Sequence, residues 1–138
     1  MGQIDTGHSN LVNAFRAHKK IIGNTLTHHM ILFYAVECGL KAMACSSFYN
    51  THHKKLSEIV LTSGNVATTH KINELIVHLK LPAHLGKCPK VKLNSDGKLV
   101  DHSEIHQAWR YGIKLDVVLE EKAVRWLEKM ISFLATKL

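Results

Sequence analysis

Thr25–Ser46 reads TLTHHMILFYAVECGLKAMACS, a run with few polar positions and no helix breaker other than Gly39. Met30, Phe33, Tyr34, Val36 and Leu40 recur at helical spacing and make a broad apolar face. Glu37 and Lys41 stand one turn apart, with the acid before the base, the order that best supports a helix. A helix so poor in polar positions must be contacted on several sides, so it is expected at the centre of a helical bundle.

The flanking sequence supplies helices to surround it. A first helix is predicted from Ser9, a good N-cap, to Ile22, with Leu11, Phe15, His18 and Ile22 at helical spacing. Gly23-Asn24 ends it. Residues 50–55 (NTHHKK) are polar, and Leu56–Leu61 is expected as a short helix closed by Ser63-Gly64-Asn65. Another helix starts near Thr69, carries Ile72, Leu75, Ile76 and Leu79, and ends before Pro82. Near 90–100 the pattern changes to Val91-Lys92-Leu93, Asn94-Ser95-Asp96-Gly97 and Lys98-Leu99-Val100, a short hairpin or extended loop. A helix beginning at Asp101 or Ser103 carries Ile105, Trp109 and Ile113. The last helix runs from its N-cap Asp116 to the C-terminus, with Val117, Ala123, Val124, Leu127, Ile131 and Leu134 toward the core. Its acidic start (Glu120, Glu121) and basic end (Lys129, Lys137) suit the helix dipole. The expected fold is all-α: residues 1–138 form a single domain, an up-and-down bundle of four to six helices.

Composition narrows the classes further. The chain has 138 residues, 46% of them hydrophobic, which is too apolar for a disordered chain. No stretch reaches the roughly 18 apolar residues of a membrane span; Glu37 and Lys41 interrupt the best one. Three cysteines cannot form a disulfide framework and are read as packed thiols. Reduced thiols and a polar start without a signal segment predict a cytoplasmic location. The net charge is +7, and the whole excess lies before residue 101, since residues 101–138 carry six basic and six acidic groups. Such a surface attracts polyanions. Fifteen of the 18 basic residues are lysines, which act as solvated point charges and not as planar forks.

The segment Asp101–Gly112 (DHSEIHQAWRYG) concentrates the chemistry. On one helix, His102, His106 and Arg110 recur every four residues and form a row. An arginine fork and two imidazoles in a row can hold a phosphate or move a proton, so these three are the candidates for such chemistry. Trp109 and Tyr111 flank the row and offer stacking faces, with Trp109 read chiefly as core. The structural alternative is that Arg110 pairs with Glu37 or Asp101 and ties helices together. No metal site is expected: Ser103 stands where the zinc-protease motif needs Glu, and there is no CxxC. Glycine-rich phosphate loops and the nucleophile-elbow motif are also missing, so no cofactor is expected.

Three segments together resemble the HEPN superfamily of helical nucleotide- and RNA-associated domains. Tyr34–Ala42 looks like its apolar second helix, where an acidic residue precedes a Leu-Lys-Ala stretch. Thr69–Leu75 is similar to the helix start that follows it. His106–Gly112 looks like the arginine-bearing segment before the final long helix. The matches fall in the family's order over about residues 25–137. The resemblance implies a four- to five-helix bundle, commonly a homodimer, from toxin–antitoxin or anti-phage operons. Active members are metal-independent ribonucleases in which a histidine follows an arginine by four to six residues. Here His102 and His106 precede Arg110, and no histidine follows Arg125. The expectation is therefore a non-catalytic subunit that binds a nucleotide or RNA and regulates a partner effector, such as a SIR2-type NADase. Its ligand-binding residues are expected to be Glu37, Lys41, His70, His106, Arg110 and Tyr111. The first alternative is a ribonuclease toxin with a cognate antitoxin, with His102, His106 and Arg110 as its catalytic acid/base and phosphate-stabilising residues; the second is a purely structural adaptor.

Overall fold

A computed structural model describes residues 8–20, 26–47, 60–61, 64–65 and 72–138. Among these residues the protein is a helical bundle with two small hairpins. Its α-helices are α1 (His8–Lys20), α2 (Leu26–Ser47), α3 (Ile72–Leu79), α4 (Ile105–Tyr111) and α5 (Val117–Lys137). No described helix is long and apolar enough to cross a membrane.

The central element is α2, which packs against α1, α3, α4 and α5. Leu32, Phe33, Ala35, Val36, Leu40, Ala42, Ala44 and Cys45 are all buried, and these positions go round the whole helix. Burying each large side chain among them is worth about 1.5–3 kcal/mol. Close approach is made possible by Gly39: a Cβ there would lie 2.7 Å from Leu134 Cδ1 of α5 and 3.1 Å from Phe15 Cδ1 of α1. The pattern of α1 holds where it is described, with Leu11, Val12 and Phe15 buried. Arg16 at the edge of α1 donates to the Leu138 carbonyl at 2.8 Å, tying α1 to the end of α5.

In α3 the expected stripe is in place: Ile72, Leu75 and Ile76 are buried. The helix stops at Leu79, before the proline, because Lys80 turns left-handed at φ 53°. The Lys80 N–H then donates to Val77 O and the Leu81 N–H to Ile76 O, the pattern that satisfies the last carbonyls of a helix. Pro82 leads into a short 3-10 turn, Ala83–Leu85. Two anchors hold this turn and the loop after it. Trp126 Nε1 of α5 donates to Leu85 O at 2.9 Å. The Asn73 side chain of α3 clamps Cys88 from both sides, donating to its carbonyl and accepting from its N–H.

The hairpin expected near 90–100 is present as β3 (Val91–Lys92) and β4 (Leu99–Val100), antiparallel with Val91 opposite Val100 and Lys92 opposite Leu99. It also grips the α4–α5 connection: Leu93 bridges Leu115, Asn94 N–H donates to Lys114 O, and Asp116 N–H to Lys92 O.

Two expectations about local structure are corrected. The helix predicted over Leu56–Leu61 does not form at its end. Val60–Leu61 is strand β1 and pairs antiparallel with β2, Gly64–Asn65. A β-branched Val60 before a Ser-Gly-Asn turn sequence favours a hairpin over a last helical turn. Residues 50–59 lie outside the described set, as does His70. In α5 the N-cap is Asp116, whose side chain accepts from Leu119 N–H, and Ala123, Leu127, Ile131 and Leu134 are buried as predicted. Val117 is instead 71% exposed. Helical side chains lean toward the N-terminus, so a residue in the first turn overhangs the core it was expected to join. Trp126 and Met130 of α5 are buried as well.

Candidate functional site

The predicted site residues that lie within the described set gather mainly where α4 crosses α2. From α2 come Tyr34, Glu37 and Lys41, spaced three and four apart and so on one face. Lys41 Nζ lies 3.3 Å from Glu37 Oε2, and both residues are buried. Ionised groups are expensive to bury, and a close pair offsets part of that cost. The pair leaves its mark next door. Burial pushes the Cys38 thiol up to about 11; the Glu37 charge adds to this and Lys41 opposes it.

From α4 come His106, Arg110 and Tyr111. The His106 ring stacks on Phe33 with centroids 4.9 Å apart and lies 5.8 Å from the Tyr34 ring. It is 5% exposed, so the imidazole belongs to the α2–α4 interface. Arg110, one turn later, is exposed, with its guanidinium carbon 5.5 Å from the Tyr111 ring centre. This neighbour differs from the Glu37 or Asp101 partner that the structural alternative names. A seven-residue helix has only two turns, so its row runs from the packed interface to solvent within one step. Gly112 closes it in the left-handed conformation, its N–H directed at the Ala108 and Trp109 carbonyls.

Tyr34 links the two helices. Burial raises its hydroxyl pKa, the Arg110 charge opposes the rise, and Glu37 and Tyr111 add to it. Sequence reasoning placed Tyr34 only on an apolar face, although its spacing to Glu37 and Lys41 carried the signal.

His102 falls outside the row. It sits in the turn before α4, not on the helix. The Asp101 carboxylate organises that turn: it accepts from the His102 N–H at 2.8 Å and from Ser103 Oγ at 3.1 Å, and it lies 2.8 Å from His102 Nδ1. Burial alone would raise the Asp101 carboxyl. The His102 charge and these hydrogen bonds outweigh it and hold the carboxyl below its ordinary range. A side chain that satisfies backbone donors in this way competes with helix formation, which explains why α4 starts later than expected.

Trp109 is core, 2% exposed. Its Nε1 donates to Glu120 Oε2 of α5 at 2.9 Å, and its ring meets His29 of α2 at 5.4 Å. This three-helix junction was not visible in the sequence, because it joins positions far apart in the chain. Among the described residues there is no group of three or more His, Cys, Asp or Glu side chains placed to hold a metal ion.

In chemical terms, the α2–α4 crossing offers an exposed arginine fork and an exposed phenol ring beside a half-buried tyrosine and a buried ion pair. Such a set can receive an anion and stack an aromatic group. It does not present His106 for proton transfer, since a general acid or base must reach the proton it moves. Comparison of the chain with protein-family models, with curated proteins and with solved structures finds no match.

Proposed function

We propose that the chain is a HEPN-like, non-catalytic binding subunit that takes a nucleotide or RNA phosphate at the α2–α4 crossing. The observation that supports this reading is the placement of Arg110. Its guanidinium is in solvent beside Tyr111, and the Glu37–Lys41 pair lies buried in α2, the helix against which α4 packs. An arginine held this way keeps its fork available for a phosphate. The net charge of +7 draws polyanions toward it. The resemblance to the HEPN superfamily supplies the biological setting: a cytoplasmic subunit of an anti-phage system, arranged as an up-and-down bundle and a homodimer. In that setting it senses a nucleotide signal and controls an effector such as a SIR2-type NADase.

Titrating the protein with ATP and with a short single-stranded RNA while following its melting temperature tests the proposal. Stabilisation that vanishes in Arg110→Ala and is weakened in Arg110→Lys is the expected result. No stabilisation by either probe removes the basis for ligand sensing.

The second reading is a ribonuclease toxin restrained by a cognate antitoxin, in which His102 moves the proton and Arg110 holds the phosphate, while His106 of the predicted row stays packed in the α2–α4 interface. The contact between Asp101 and His102 favours it, because a carboxylate-oriented imidazole is the usual form of a general base. RNA cleavage by the wild type that is lost in both His102→Ala and Arg110→Ala would establish it; a wild type that leaves RNA intact eliminates it.

A further inference from the structure

We infer that the groove at the C-terminal end of α3 is a docking surface for an acidic peptide segment of a partner protein, anchored by an aliphatic side chain. This surface is separate from the α2–α4 crossing and stands without the nucleotide proposal.

The sequence first marks the region by charge. From Leu75 to Ser95 there is no Asp or Glu, while Lys80, Lys87, Lys90 and Lys92 all fall within the stretch. All four lysines are exposed. The fold then turns the stretch into a shape. A groove of about 250 Å³ has Val77, Leu81 and Pro82 among its apolar lining and Lys80 and Lys87 among its polar lining. Val77 is 54% exposed, although its helix neighbours Leu75 and Ile76 are buried. Lys129 of α5 is tied to the turn between these two lysines: its Nζ donates to His84 O at 2.8 Å. Lys80, just past the end of α3, and Lys87 of the following loop therefore flank one apolar depression, with Lys129 fixed on the turn that joins them.

Two features set this surface apart from an ordinary solvated face. Lys80 occupies the left-handed position at the helix end, where glycine is free of strain and lysine is not. The groove walls are also preformed, because the Asn73 clamp on Cys88 and the Trp126 bond to Leu85 fix the loop on either side. A preformed site loses less entropy when it binds.

The lining selects the occupant. It contains no aromatic ring on which a base could stack and no arginine to fork a phosphate, the two features that single-stranded nucleic acid sites use. An aliphatic floor between point charges suits a segment in which Glu or Asp alternates with Leu, Ile or Val.

The test uses the full chain and a fluorescein-labelled synthetic peptide in which Glu and Leu recur at helical spacing, read by anisotropy. Binding to the wild type is expected. In Lys80→Gly/Lys87→Ala it should weaken roughly tenfold or more. A peptide with Gln in place of each Glu should fail to bind. Lys80→Gly relieves the backbone strain, so this single variant should melt no lower than the wild type, and weaker binding by it is not a folding defect. Arg110→Ala should bind the peptide as the wild type does, which separates this site from the α2–α4 crossing. Absence of peptide binding, equal binding by the double variant, or a uridine oligonucleotide that occupies these lysines more tightly than the peptide would each overturn the inference.

Discussion

At the scale of single residues, the tightest constraint is Gly39. Replacing it with Ala places a methyl group against Leu134 and Phe15, both fully packed. Overpacking of this kind costs about 1–3 kcal/mol, while the gain in helix propensity returns about 1 kcal/mol. Gly39→Ala should therefore lower unfolding free energy, measured by urea denaturation, by up to about 2 kcal/mol. The thiols make a second prediction. Burial, reinforced by the Asp101 charge, pushes Cys88 from an ordinary 9.0 up to about 12, and Cys38 reaches about 11. Above pH 9 an unfolded chain releases these protons while the folded chain keeps them, so folding binds protons and stability falls as pH rises. The denaturation midpoint should drop between pH 9 and about 12, and Cys38→Ala/Cys88→Ala should drop less steeply than the wild type. Both cysteines should also react slowly with alkylating reagents at neutral pH in the native protein and rapidly in denaturant.

At the scale of elements, the junction of α4, α5 and the β3–β4 hairpin carries the greatest leverage. Asp116 caps α5 through Leu119 N–H, and its own N–H is held by Lys92 O of β3. Asp116→Ala removes the cap but leaves the backbone bond. Loss of about 1 kcal/mol is expected from thermal unfolding, with hydrogen exchange rising first at Leu119 and its neighbours in the first turn. Helix α2 was legible as a long apolar run with few polar positions, and α3 and α5 because each carries a helical period bounded by Pro82 or Asp116. The start of α4 was not, because Asp101 is a short acceptor that can either cap a helix or hold a turn, and it does the latter for His102 and Ser103. Val60–Leu61 was misread for a related reason: two residues are too few to show a period.

At the scale of the whole molecule, the excess of positive charge should make any polyanion complex sensitive to salt. If RNA binds at the α2–α4 crossing, log K should fall linearly with log salt concentration. Arg110→Ala should reduce that slope by about 0.7, the share of one released counterion on a single strand. Peptide docking at the α3 groove should weaken with salt in wild type and Arg110→Ala alike, since the groove's lysines are untouched. Two binding surfaces of different chemistry on one small bundle would suit a subunit that reads one partner and reports to another.

The sequence by itself determined that the chain is mostly helical, that the apolar run forming Leu26–Ser47 is the central helix, and that the Glu37–Lys41 pair forms within one helix. Each of these depends on residues less than two turns apart, where periodicity fixes who meets whom. Only the tertiary structure decided which chemistry faces outward. It put His106 under Phe33 and Tyr34, sent Arg110 into solvent, tied His102 to Asp101, and brought Lys129 from α5 to the turn after α3. Those placements follow from how helices cross, and a crossing is set by the packing of side chains that no local pattern joins.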